Sequence, residues 1–163
     1  LTEASFSPDK IGSPVKFNEV MYNPIGGSDY EFIELKNISR TQVDLSWHKL
    51  KGIKFLFRLN AKLDPGQLIV LASDSNPKAF IKRYPRLDVY GWYNGNLANG
   101  GEKLAIENAE GVEVLKFRFN NKAPWPIVDD IRGRSVQIIE PLVDANNPTN
   151  WKLSSKVGGS PGK

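Results

Sequence analysis

Few residues in this chain could carry acid–base or covalent chemistry. Its 163 residues include no cysteine and a single histidine. Thiol catalysis, thiolate zinc sites and iron–sulfur clusters are therefore excluded within it. Serine–histidine catalysis would have to pass through His48, and no G-x-S-x-G stretch supplies a nucleophile. Following Trp47 on an apparent strand, His48 reads as a partly exposed strand residue. The carboxylates offer more. Glu19 shares strand parity with Val15, Phe17 and Met21, and Glu31 shares it with Ile33 and Leu35, so both point toward an apolar face. A carboxylate buried alone must find a cation, a donor or a proton. Two together could hold a hard cation or share one proton, which leaves a carboxylate-based, metal-dependent hydrolase as the enzyme alternative. The simpler reading puts both at strand ends, accepting backbone amides or pairing with Lys or Arg. A single bulge would reverse the parity.

Other groups invite binding rather than catalysis. Asp129, Asp130, Asp144 and Asn146 supply oxygen ligands of the kind calcium takes, but the EF-hand spacing fails. Loop Asp and Asn are first of all turn formers, and neither metal nor cofactor is expected. Lys78, Lys82, Arg83 and Arg86 gather around Tyr84, and Lys49, Lys51, Lys54 and Arg58 form a second basic group. With a formal charge of +4, these permit a nucleic-acid- or polyanion-binding alternative without demanding it. Tyr90, Trp92 and Tyr93 lie among Gly and Asn, where a loop could show rings to a sugar or a partner protein. Trp92 and Tyr93 are the candidate anchors, with Lys78, Lys82 and Arg83 as a polar rim. The competing reading folds the rings over the end of the core.

The elements that would position these residues are short strands. β-Branched and aromatic runs at 15–22, 30–37, 42–50, 53–57, 67–72, 103–108, 112–119 and 135–139 are separated by Gly-, Pro-, Asn- and Asp-rich turns. This pattern predicts an all-β antiparallel sandwich. One helix is expected near 77–84, capped by Asn76, opened by Pro77 and stopped by Pro85. The expected core is Phe17, Met21, Ile33, Leu35, Leu45, Phe55, Phe57, Leu68, Val70, Leu104, Ile106, Val114 and Ile138. Hydrophobic residues at 40% and charged residues at 25% indicate a globular chain, and no apolar run approaches the length that spans a bilayer. The expected organisation is a lead segment at 1–13, one domain at 14–157 and a flexible Gly/Ser/Pro linker at 158–163.

Several further runs stand in a fixed order along the chain. They are Phe17-Asn18-Glu19-Val20-Met21-Tyr22-Asn23-Pro24, then Tyr30-Glu31-Phe32-Ile33-Glu34-Leu35, Val43-Asp44-Leu45-Ser46, and Leu63-Asp64-Pro65-Gly66-Gln67. Gly95-Asn96-Leu97-Ala98-Asn99-Gly100-Gly101-Glu102-Lys103-Leu104, Asn150-Trp151 and the closing Gly158-Gly159-Ser160-Pro161-Gly162 complete the set. Together these runs resemble the lamin tail domain in its bacterial secreted and surface-protein form. One departure stands out: the family pattern Asp-Leu-Ser-Gly-Trp reads here Asp44-Leu45-Ser46-Trp47-His48. The resemblance implies an immunoglobulin-like sandwich that is non-catalytic, an accessory interaction module of a larger extracellular or cell-surface bacterial protein. Its expected partners are other domains of the same chain and a protein or cell-surface glycan, in preference to nucleic acid. The family has no agreed ligand site to carry over.

Overall fold

The computed structural model describes residues 12–126 and 132–163. In chain order the strands are β1 (Val15–Met21), β2 (Phe32–Asn37), β3 (Val43–Asp44), β4 (Lys49–Lys51), β5 (Phe55–Leu56), β6 (Lys62–Leu63) and β7 (Leu68–Ser73). After the helix α1 (Pro77–Arg83) come β8 (Gly91–Tyr93), β9 (Gly101–Glu107), β10 (Glu113–Asn120), β11 (Val136–Ile138) and β12 (Trp151–Leu153). A six-stranded sheet, β12-β11-β1-β2-β7-β8, packs against a four-stranded sheet, β10-β9-β4-β5, and β3 pairs with β6. All pairs are antiparallel except β7 with β8, which α1 joins as a crossover.

The core lies between the sheets because alternate side chains of each face inward. Phe17 meets Phe117 with ring centroids 4.8 Å apart, Tyr22 meets Phe119 at 4.8 Å, and Trp151 stacks on Phe117 at 5.1 Å. A second, smaller cluster covers the outer face of the larger sheet, where Met21, Phe32, Val70 and Ala72 pack under Phe80 of α1. The helix forms as its sequence dictates: the Asn76 side chain accepts the Ala79 amide, Pro77 opens the first turn, and Pro85 follows directly on the C-cap Tyr84.

A bulge in β1 corrects the expected facing of that strand. Phe17 pairs with Leu35 but Glu19 with Glu34, so Asn18 is an extra residue and the alternation inverts beyond it. Val15, Phe17, Val20 and Tyr22 face the inter-sheet core, whereas Met21 joins the outer cluster with Val70. The expected 42–50 strand is interrupted by a turn in which Asp44 Oδ1 accepts the Ser46 amide and hydroxyl. In β10 the inward positions are Leu115, Phe117 and Phe119, so Val114, expected in the core, is 37% exposed. Phe55 and Leu68 are only half-buried. The short strands β6, β8 and β12 were not anticipated, being too brief to show a period.

Residues 158–163, expected to be a flexible linker, instead lie across β1 and β2. Ser160 donates to Glu19, Gly162 N–H donates to Glu34 Oε2 at 2.6 Å, and the Tyr84 hydroxyl donates to the Gly158 carbonyl at 2.8 Å. Composition alone suggested a linker, but these residues bring backbone donors to buried acceptors. Gly159 is required by this approach: at φ 71°, an added Cβ would sit 2.4 Å from Glu19 Oε1.

Removing Trp151 tests whether β12 is integral to the sandwich. Trp151→Ala is expected to cost about 3–5 kcal/mol, as for other buried aromatics. The midpoint of thermal unfolding should then fall by ~10 °C or more.

Candidate functional site

Two carboxylates meet on the outer face of the larger sheet, though not the two expected. Glu19 and Glu34 are cross-strand partners and both are buried. Glu19 Oε1 accepts from the Ser135 hydroxyl and the Ser160 amide, both at 2.7 Å, and Oε2 accepts from the Ser160 hydroxyl at 3.2 Å. Glu34 accepts from Asn18 Nδ2 and from the Gly162 amide, both at 2.6 Å. Burial pushes the Glu34 carboxyl up to about 7; its two donors oppose the rise and the Glu19 charge adds to it. Each oxygen faces a specific donor, so this pair is part of the fastening of residues 158–163.

Glu31 lies elsewhere and does not meet Glu19. It sits just before β2, only 3% exposed, in the wall of a pocket of about 310 Å³ at one end of the sandwich. The pocket is formed where the 23–31 loop, the 94–100 loop and Arg132 converge, with Tyr22, Asn23, Ser28, Asn96, Leu97 and Asn99 among its lining. Glu31 Oε2 accepts the Leu97 amide at 2.9 Å and the Tyr93 hydroxyl at 3.3 Å. Burial pushes its carboxyl up to about 7, the two hydrogen bonds pull it down, and the Glu102 charge adds to the rise. Burial likewise raises the Tyr93 phenol well above its ordinary value, with Glu31 contributing.

The aromatic and basic candidates separate. Tyr93, expected as an exposed anchor, is fully buried and forms part of the support beneath Glu31. Trp92 is half-buried and packs edge-on against Phe80 at 5.7 Å, as part of the cover over the outer face. Tyr93 therefore follows the structural alternative, carried by β8 into the core, while Trp92 packs one part of its ring on Phe80 and leaves the rest exposed. Lys78 and Lys82 are exposed on α1, but Arg83 is engaged, donating to the Ile25 carbonyl and lying over the Tyr30 ring at 3.2 Å. Glu34 was not anticipated as a buried acid, because it shares the outward parity of Phe32 in β2 and is covered by residues 158–163, whose composition reads as a linker.

A wider groove of about 890 Å³ brings His48, Asp144 and Asn146 to one region, lined also by Val112, Val114, Leu142 and Val143. His48 follows the Asp44 turn and Nδ1 lies 3.3 Å from the Ser46 carbonyl. Asp144 Oδ1 accepts the Asn146 amide at 2.9 Å, and Asn146 Oδ1 accepts the Arg118 amide at 3.1 Å. These are the bonds of turn-forming residues. Asp129 and Asp130 lie outside the described residues. Among those described, no cluster of three or more His, Cys, Asp or Glu could hold a metal ion.

The sandwich, with its small pair β3-β6 and the 44–47 turn, can be compared with known families. The sequence model of the lamin tail domain matches residues 9–121. The chain belongs to the lamin tail domain family. No curated protein matches it. The matched span of this lamin tail domain ends before β11 and β12, yet β11 pairs directly with β1 through Glu19 and Val20. The larger sheet is thus completed by residues beyond the matched region. Where the family pattern has glycine, Trp47 holds φ 64°, a left-handed conformation, and remains 45% exposed.

Three measurements test this geometry. Trp47→Gly should relieve the left-handed backbone by about 1 kcal/mol and raise the unfolding midpoint by ~3 °C in a thermal melt. Trp92→Ala should lower the midpoint by several degrees, since the ring supports Phe80. Glu31 and Glu34 bind protons in the folded chain up to about 7, against 4.5 ordinarily. The native state therefore holds protons that the unfolded chain has released, and stability must fall as pH rises through that window, levelling above it. Melts should show a higher midpoint at pH 5 than at pH 8. The Glu31→Gln, Glu34→Gln double variant should be much flatter.

Proposed function

We propose that this lamin tail domain is a non-catalytic interaction module of a larger secreted or cell-surface bacterial protein, with a protein or glycan as partner. The observation that carries the reading is the loop-end pocket. Its carboxyl group is oriented by a backbone amide and a phenol, which are positioning donors, and the rigid strands β2, β8 and β9 hold the loops around it. General acid–base work on a substrate needs a second group in reach, and the partners of Glu31 are Leu97 and Tyr93. The family's immunoglobulin-like, non-enzymatic character supports the same reading.

The polyanion alternative draws less support, because Arg83 is already committed to Ile25 and Tyr30. The hydrolase alternative needed Glu19 and Glu31 at one site, and each is instead held by its own set of donors.

Tagged full-length protein should appear in the external fraction and be open to added protease on intact cells. Deleting this domain should leave any turnover by neighbouring domains unchanged while weakening retention at the surface. Confinement to the cytosol, or hydrolysis by the isolated domain that Glu31→Gln abolishes, would overturn the reading.

A further inference from the structure

Within the Glu31 pocket the two carboxylate oxygens are unequal. Oε2 takes both hydrogen bonds, from Leu97 N–H and the Tyr93 hydroxyl, and Oε1 has no hydrogen bond among the described residues. Glu31 is nevertheless buried, and no ion pair reaches it among those residues; Arg132 lines the pocket but is exposed. The charge that acts on it is that of Glu102, of like sign. A buried carboxylate in this setting bears its desolvation without a compensating cation, so the complementary ligand is cationic.

The geometry selects among cations. A guanidinium is held best by both oxygens of a carboxylate in parallel, and Oε2 is already occupied. Calcium takes about six to eight oxygens, several usually from carboxylates. Among the described residues, Glu31 is the one acid lining this pocket. An ammonium is a compact charge with three donors: one for Oε1, leaving two for amide or hydroxyl oxygens such as those of Ser28, Asn96 and Asn99. Pro24 and Leu97 give the pocket apolar wall suited to an aliphatic stem.

We propose that this pocket receives a primary ammonium on a short aliphatic stem, supplied by a lysine side chain or a chain N-terminus of a partner protein, with Glu31 Oε1 as its counter-charge. The proposal rests on reading the domain as an interaction module and names the chemistry its pocket recognises.

The test uses the intact chain and four small probes: Nα-acetyl-lysine methylamide, glycinamide, Nα-acetyl-arginine methylamide and a methyl glucoside. Binding is followed by NMR at the Leu97 amide, which is hydrogen-bonded to Glu31. The lysine probe or glycinamide should shift that resonance saturably. Which of the two binds more tightly distinguishes a side-chain from an N-terminal source. The lysine probe should bind about tenfold more tightly at pH 8 than at pH 6, because only the ionised carboxylate is competent. Glu31→Gln keeps an acceptor for Leu97 and Tyr93 but loses the charge, so ammonium binding should fall at least tenfold and lose its pH dependence. Should that variant fail to fold, the wild-type chain decides the matter: its Glu31 carboxyl pKa must fall on adding the lysine probe. No shift with either ammonium probe at tens of millimolar would overturn the proposal. Tighter binding of the arginine probe or the glucoside would do the same. Those results would leave the module reading standing, since surface location and retention are measured separately.

Discussion

One extra residue in β1 decides which side chains the two faces of the larger sheet carry. Without the bulge at Asn18, the alternation that puts Val15 and Phe17 inward would carry Glu19 and Met21 inward as well. With it, Val20 and Tyr22 enter the core to meet residues such as Phe119, and Glu19 turns to the outer face beside Glu34. The bulge also frees Asn18 to donate to Glu34, so the residue that interrupts the ladder helps satisfy the neighbouring acid. An outer face bearing the row Glu19, Glu34 and Val70 beside the row Met21, Phe32 and Ala72 cannot be left bare, and the chain covers it twice. Helix α1 lies over the apolar part, and residues 158–163 lie over the acids.

The two covers work by different physics. Under α1 the contacts are rings and aliphatic chains, with Phe80 fully buried against Phe32, Tyr84 and Trp92, and the stabilisation scales with apolar area removed from water. Over Glu19 and Glu34 the contacts are hydrogen bonds to carboxylates, short and numerous, set against the cost of desolvating two like charges. Tyr84 joins the covers, packing on Phe80 with its ring and donating to Gly158 with its hydroxyl. The elevated proton affinity of Glu34 is the outcome of that contest: the donors soften the desolvation without cancelling it.

Much of the scaffold was legible because its signals are local. The capped helix, the Gly- and Pro-bearing turns and the alternation in β2 and β9 depend on residues close in sequence, and the structure follows them. The facing of Glu19, Met21 and Val114 depends on where a ladder slips, which a single strand does not record. The site was harder still. Tyr93 and Trp92 looked like displayed rings because they lie among Gly and Asn. Their actual roles are set by pairing β8 in parallel with β7, a non-local contact. Glu31 was visible as an unusual acid on an apolar parity. Its neighbours Leu97 and Tyr93 come from more than sixty positions away, and no spacing rule joins them to it.

The loop-end pocket is a consequence of this construction as well as a feature of it. β8 runs parallel to β7 and so delivers the 94–100 loop toward the end of the sandwich where the 23–31 loop emerges between β1 and β2. The loop is anchored on both sides: Asn94 exchanges backbone hydrogen bonds with Lys54, and the Ala98 amide donates to Glu102 at the start of β9. Between these anchors the Leu97 side chain enters the core while its amide turns to Glu31. The carboxyl thus fixes the loop through one oxygen, and that use leaves the other oxygen without a partner of its own among the described residues. A group needed to hold the loop is thereby also the group that gives the pocket its charge. The acid cannot be exchanged for an apolar residue without leaving the Leu97 amide unpaired, which couples the pocket's electrostatics to the stability of the loop around it.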